Sequence, residues 1–312
     1  MSAERKEGDN IYCPSCGISE GGDDVPELKK CDACNLVQYC SDKCKQEHSP
    51  EHERACKKRA AELRDEILFK QPERTHLGDC PICLLPLSND IKKSVMESCC
   101  SKWICNGCSH ANRVREMEEM LERKCPFCRD PTPATNKEAD VKKMKRVVAN
   151  DPVALCEVGK RCYHEGDYES AFEYLTRAAG LGGADAHYHL SILYHDGKGV
   201  EKDQRKELHH LEEAAIGGHP QARYSLANYE GRLGRNERAI RHLFIAANLG
   251  DDQAMKKLNI VFTHGIVGKD VLSKEDFAAA LRAHQAAVNA AKSPQREEAE
   301  KPWQQEPLNR VI

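Results

Sequence analysis

Thiol pairs two or three residues apart recur along the first 128 positions, and they constrain this chain more than any other feature. Cys13-x2-Cys16, Cys31-x2-Cys34, Cys40-x3-Cys44 and His52-x3-Cys56 come first, followed by Cys80-x2-Cys83, Cys105-x2-Cys108 and Cys125-x2-Cys128, with Cys99 and Cys100 between. Two thiolates on a tight turn supply half of a tetrahedral shell, and a second pair completes it, so the spacings signal zinc rather than disulfides. Segments this short cannot bury enough apolar surface to fold alone, and metal stands in for the missing core. The charged stretch from Met1 to Asn10 has no apolar run and does not read as a secretory signal. All 17 cysteines are therefore expected in a reducing compartment, cytosol or nucleus.

The first eight donors, four pairs between Cys13 and Cys56, resemble the MYND finger, down to the Tyr39-Cys40-Ser41 run and the His-x3-Cys ending. By that resemblance Cys13, Cys16, Cys40 and Cys44 bind one zinc, and Cys31, Cys34, His52 and Cys56 the other. His48, eight residues before Cys56, fits the pattern less well than His52. MYND fingers are protein-interaction modules that take short, often proline-containing peptides, so the resemblance implies a peptide partner. Nothing in the chain looks like the catalytic SET domain in which some MYND fingers are embedded.

The second cysteine-rich stretch, residues 77–130, resembles the RING finger, whose ligand pairs one and three share one metal and pairs two and four the other. The resemblance assigns Cys80, Cys83, Cys105 and Cys108 to one site and Cys100, Cys125 and Cys128 to the second. The histidine usual after the third ligand is replaced by Lys102, whose ammonium has no lone pair to donate. Cys99 or His110 is left to fill the place, with Cys99 the first choice. About four zinc ions per chain are expected, or three if the second site is incomplete. RING fingers hold a ubiquitin-loaded conjugating enzyme in a reactive pose, with no covalent intermediate. Ile82 and Pro126 match the apolar positions that touch that enzyme. Arg129 matches the arginine that bridges enzyme and ubiquitin, where a planar fork of donors suits two carbonyls. The same residues also read as knuckle packing and a solvated charge, so ligase and binding module both stay open.

Around the two stretches the chain is helical. Residues 57–76 read as a charged connector helix with Leu63 and Ile67 on one stripe, ended by Pro72. Asn112 to Lys124 reads as the second finger's central helix, with Val114, Met117, Met120 and Leu121 at helical spacing. Residues 131–149 open on a proline-rich linker and continue as a helix bearing Lys142, Lys143, Lys145 and Arg146, a face that is usually solvated.

Self-comparison exposes a third module over 150–291. Ala154, Ala186, Ala222 and Ala254 each open a helix-like segment at intervals of 32, 36 and 32. The pairs Ala178-Ala179, Ala214-Ala215 and Ala246-Ala247 mark a second helix in each unit, closed by Gly182, Gly218 and Gly250. Small alanines let helices approach, and glycine supplies the left-handed turn at a helix end. The second unit is longer because residues 196–203, carrying Gly197-Lys198-Gly199-Val200, lie between its helices. That loop resembles Sel-one-like repeats, relatives of the tetratricopeptide repeat; units one and three look closer to plain tetratricopeptide spacing. Such stacks imply a concave surface for protein partners. Cys156, Cys162 and the histidines at 187, 189, 209 and 210 read as packing residues rather than ligands.

A net charge of -3 gives no basic field for nucleic acid, and no apolar run reaches the about 20 residues of a membrane span. Residues 1–12 and 292–312 are expected to be disordered, with Trp303 the tail's one large apolar side chain. The fold expected is multidomain: two small zinc-stabilised cross-brace fingers followed by an all-α solenoid of helical hairpins. Its function is protein interaction, with either a RING-type ligase or a non-enzymatic adaptor as the outcome.

Overall fold

The computed structural model describes residues 12–18 and 28–301, which divide into two compact units, one ending at Lys70 and the other starting at Gln71. In the first, a two-residue hairpin, β1 (Lys29–Lys30) against β2 (Gln38–Tyr39), leads into one long helix, α1 (Asp42–Leu68). The Ser41 hydroxyl caps α1 by accepting from the Cys44 amide. The connector helix expected from residue 57 is not separate: α1 carries Cys44, His52 and Cys56 on one face and runs on to Leu68, short of Pro72. Spacings of four and eight keep donors aligned along a helix, which is why the finger's last ligands and the connector share one element.

The second unit opens with an antiparallel ribbon, β3 (Ser94–Glu97) paired with β4 (Lys102–Cys105), Val95 facing Ile104. The next helix, α2 (Asn106–Glu118), starts six residues before the position its apolar spacing suggests. The Cys105 sulfur accepts from the Cys108 amide and so caps α2, fixing the start at the knuckle. Met120 takes a left-handed φ of 52° and the Leu121 amide donates back to Glu116 O, which ends it. Met117, Met120 and Leu121 are consequently exposed rather than packed on a core.

Helix α3 (Asn136–Val148), capped by Thr135, leads into four helical hairpins. They are α4 (Pro152–Glu165) with α5 (Tyr168–Gly180), α6 (Ala184–Asp196) with α7 (Gln204–Ile216), α8 (Pro220–Arg232) with α9 (Asn236–Asn248), and α10 (Asp252–Thr263) with α11 (Lys274–Ala290). Ala154, Ala186, Ala222 and Ala254 are fully buried, as are Ala178, Ala214, Ala215, Ala246 and Ala247. Asp151, Asp203 and Asp251 cap α4, α7 and α10, so start signals and small-residue contacts agree.

The loops between successive repeats form one edge of this stack, and the second finger lies along it. The His76 amide donates to Gly218 O at 3.0 Å, Asn89 Nδ2 donates to Leu249 O at 2.8 Å, and Asn248 Nδ2 to Gln71 Oε1 at 3.1 Å. The sequence divides 77–130 from 150–291 as separate modules, whereas here they are one compact unit. Gly218 (φ +80°) is central to the contact, since a Cβ there would lie 2.6 Å from Arg74 O. Gly218→Ala is expected to cost about 1–3 kcal/mol, from left-handed strain and overpacking. Hydrogen exchange should find the His76 amide deprotected while α4 and α5 stay protected; unchanged protection at His76 would refute the contact.

The expected disordered tail starts instead as a helix, α12 (Pro294–Glu300), packed on α2. Ser293 caps it and Pro294 occupies its first turn, so charge-rich composition is outweighed by a start signal and a docking partner. Trp303 and the rest of the tail, like most of residues 1–12, lie outside the described residues.

Candidate metal centres

Sixteen of the predicted donors converge into four quartets, each with ligand atoms within 4.8 Å of one another: Cys13, Cys16, Cys40 and Cys44; Cys31, Cys34, His52 and Cys56; Cys80, Cys83, Cys105 and Cys108; Cys99, Cys100, Cys125 and Cys128. In the first finger, Cys16 and Cys40 sulfurs are 3.4 Å apart, Cys40 and Cys44 3.6 Å, Cys31 and Cys56 3.8 Å, and Cys34 Sγ lies 3.2 Å from His52 Nε2. In the second, Cys83 and Cys105 are 3.8 Å apart, Cys100 and Cys125 3.9 Å, and Cys99 and Cys128 3.3 Å. A tetrahedron built on zinc–sulfur bonds of about 2.3 Å has edges of about 3.8 Å, so the donor sets fit zinc in both spacing and chemistry.

Pairs one and three converge, as do pairs two and four, in both fingers. The place left by Lys102 is taken by Cys99; His110 joins no quartet, and Lys102 is an exposed residue at the start of β4. His48 is likewise outside, its Nδ1 3.0 Å from the Tyr39 hydroxyl and its ring stacked on His52. Steric closeness makes the thiols compete for ionisation. Its hydrogen bond with Cys105 holds Cys80 down to about 4, and the same bond pushes Cys105 far above the thiol range. Burial pushes Cys100 and Cys108 up to about 12. A divalent cation removes this conflict by stabilising all four thiolates together.

Four of the pairs share one knuckle. In each, the residue after the second cysteine has positive φ and donates its amide to the first cysteine's carbonyl: Gly17 to Cys13 O at 2.8 Å, Asn35 to Cys31 O at 2.9 Å, Leu84 to Cys80 O at 2.8 Å and Arg129 to Cys125 O at 3.0 Å. Bridges between Asp79 and Pro86 and between Lys124 and Pro131 close the second finger's two knuckles. Glycine and asparagine suit that turn; leucine and arginine do not. Sequence reasoning singled out Arg129 and missed Leu84, although the shared knuckle position could have revealed both. Ile82 and Leu84 are 41% and 74% exposed, Arg129 and Phe127 are exposed, and Pro126 is half-buried.

His76, Asp185 and His219 also cluster within 4.8 Å. A ligand lone pair lies in its imidazole plane, yet the His76 and His219 rings are stacked 4.2 Å apart at 22°, so no ion near both nitrogens lies in both planes. His219 Nδ1 also accepts the Ala222 amide at 3.3 Å, leaving Nε2–H to donate to Asp185 Oδ1 at 3.4 Å. The group is a packed joint. Against the cost of burial, hydrogen bonding from His219 and the Lys160 charge keep the Asp185 carboxylate ionised. His189 Nε2 lies 3.5 Å from the same carboxylate, and His187 pairs with His210.

Comparison with protein families places a MYND finger at residues 7–56 and Sel1 repeats at 152–183, 184–219 and 220–251. Units one and three, expected nearer the tetratricopeptide repeat, thus match the Sel1 repeat as the second does. No curated protein matches the chain. Among solved structures it is similar to a Sel1 repeat protein from Oxalobacter formigenes, 23% identical, covering 59% of this chain and 76% of that one with a TM-score of 0.42. It is also similar to c5321, a protective antigen of uropathogenic Escherichia coli displaying an SLR fold, 21% identical, covering 54% of this chain and 35% of that one with a TM-score of 0.39. A zinc-finger region followed by a Sel1 solenoid therefore defines the architecture, and both module types are typical protein-interaction modules.

Proposed function

We propose that the chain is a zinc-dependent intracellular scaffold, working in the cytosol or nucleus, whose second finger is RING-like and presents a ubiquitin-conjugating enzyme to a client held by the MYND finger or the repeats. The observation carrying this reading is the pair of strained knuckle residues. Leu84 and Arg129 stand at left-handed positions, φ 58° and 65°, with side chains exposed, where the first finger has Gly17 and Asn35. A left-handed L-residue costs roughly 1–2 kcal/mol, and local strain of this kind gathers at functional surfaces. Ile82 beside Leu84, and Phe127 beside Arg129, extend two apolar tips. Buried Leu87 and Ile104 hold the finger beneath them.

The test is ubiquitin discharge from a panel of charged conjugating enzymes onto free lysine, comparing wild type with Ile82→Ala, Leu84→Gly and Arg129→Gly. Glycine relieves the turn, so both glycine variants should melt no lower than wild type while stimulation falls at least tenfold. No stimulation by metal-loaded wild type across the panel would leave a non-enzymatic adaptor, in which MYND finger, second finger and repeats only bind proteins. The adaptor is the second reading, favoured by Lys102 at the place of the usual histidine.

A further inference from the structure

We propose that Arg296 is a built-in counter-ion of the Cys80–Cys83–Cys105–Cys108 centre, so that metal held there and α12 docked on the finger stabilise one another. This rests on the reading that the second finger holds zinc. Arg296 belongs to α12, beyond the last repeat, yet it is 8% exposed and sits inside the first knuckle. Its Nη2 donates to Cys83 Sγ at 3.3 Å and to Leu85 O at 3.1 Å, and its Nη1 donates to Pro86 O at 2.6 Å and to Ala291 O at 2.7 Å. Cys108 Sγ lies 4.0 Å from the Gln295 side-chain oxygen, which can accept from its thiol, and Lys93 pairs with Glu300 at 2.8 Å. Arg296 is thus the residue of α12 that donates to a sulfur of the quartet.

Charge explains why an arginine lies there. Four thiolates around a divalent ion leave a net charge of about -2 in a buried setting, and a guanidinium that reaches one sulfur offsets part of it. The converse also holds, because a buried guanidinium is costly without a nearby anion. Backbone geometry records the same closeness. Gly107, between Asn106 and ligand Cys108, faces α12 so tightly that a Cβ would lie 2.9 Å from both Arg296 Cγ and Arg296 N. Any other residue would lift the arginine off its sulfur. The metal state of the finger is thereby tied to the far end of the repeat array, 213 positions away from Cys83 in sequence.

The experiment uses the full chain, with zinc removed stepwise by a chromophoric chelator, and follows Arg296→Ala, Arg296→Lys and Gly107→Ala. In Arg296→Ala one zinc equivalent should be released at about 10–100-fold lower chelator concentration than in wild type. Arg296→Lys should recover part of that loss. Gly107→Ala, which alters neither arginine nor ligand, should reproduce it. Trypsin supplies the reciprocal readout: cleavage after Lys292 and Arg296 should be slow in loaded wild type and at least tenfold faster once stripped. If wild type carries no more zinc than a Cys105→Ser variant, the metal reading itself fails. If wild type carries that zinc but all three variants release it at the wild-type concentration, only the coupling is overturned. A stable Arg296→Ala variant with unchanged tryptic protection in both metal states would also overturn it.

Discussion

Removing zinc with a strong chelator is expected to collapse both cysteine-rich fingers and leave the repeat array helical. The buried cluster of the first finger is Cys13, Leu28, Cys31, Cys34, Tyr39 and Cys44, and that of the second is Cys80, Leu87, Ile104, Cys105 and Cys108. Most of those residues are ligands, so without metal little apolar surface remains to oppose chain entropy. A structural zinc contributes on the order of 10–16 kcal/mol, at least as much as a whole small domain's net stability. The repeats differ. Val147, Leu155, Leu175, Leu190 and Leu193 pack with buried alanines in one cluster, and Ile240, Leu243, Met255 and Leu258 in another, with no ligand among them. Helices α3–α11 hold about three quarters of the helical residues. Circular dichroism at 222 nm should therefore fall by roughly a quarter on chelation, with the remainder melting cooperatively. Loss of nearly all helix would show that the array depends on the metal-bound finger, and no loss would show that the fingers fold without it.

What the sequence reveals and what it hides divide along a physical line. Local periodic features were legible: thiol pairs set by bond geometry, alanines recurring where helices cross, and glycines where helices stop. At Lys102 the sequence leaves Cys99 and His110 as candidates, and the structure brings Cys99 into the quartet. Contacts between distant segments were not legible. Asn89 on Leu249, His76 on Gly218 and Arg296 on Cys83 join positions with no shared period and no unusual residue type. Helix α2 starts earlier than the apolar spacing of Val114 to Leu121 suggests. A knuckle sulfur sets its start, and most of that stripe meets solvent. Helix α12 was hidden by charge, since residues that solvate a free tail also serve a docked one.

Mild acid is expected to unfold the repeat array before the Asp185 carboxylate titrates. Burial holds His76 and His242 down to about 3 and His189 and His210 down to about 4. The Arg223, Arg238 and Arg241 charges add to the effect at His242, His187 and His209 add to it at His210, and Asp185 partly opposes it at His189. The sign follows from the folded values lying below the ordinary 6.5. As pH falls through that value the unfolded chain takes up protons that the folded chain refuses. Stability is therefore full above 6.5 and declines toward 4, at up to about 1.4 kcal/mol per pH unit for each histidine. The three that belong to the repeats, His189, His210 and His242, would use up much of a typical domain stability of about 5–15 kcal/mol within a few units. Asp185 works at lower pH, because its depressed carboxylate gives up its contribution only below the usual carboxylate range. Acid titration of the chelator-stripped chain, followed at 222 nm, should show a cooperative transition between pH 6 and 4 with uptake of more than one proton, and His242→Gln should lower that uptake by about one. A transition confined below pH 4, or an uptake unchanged in His242→Gln, would mean that these imidazoles gain protons without unfolding the repeats.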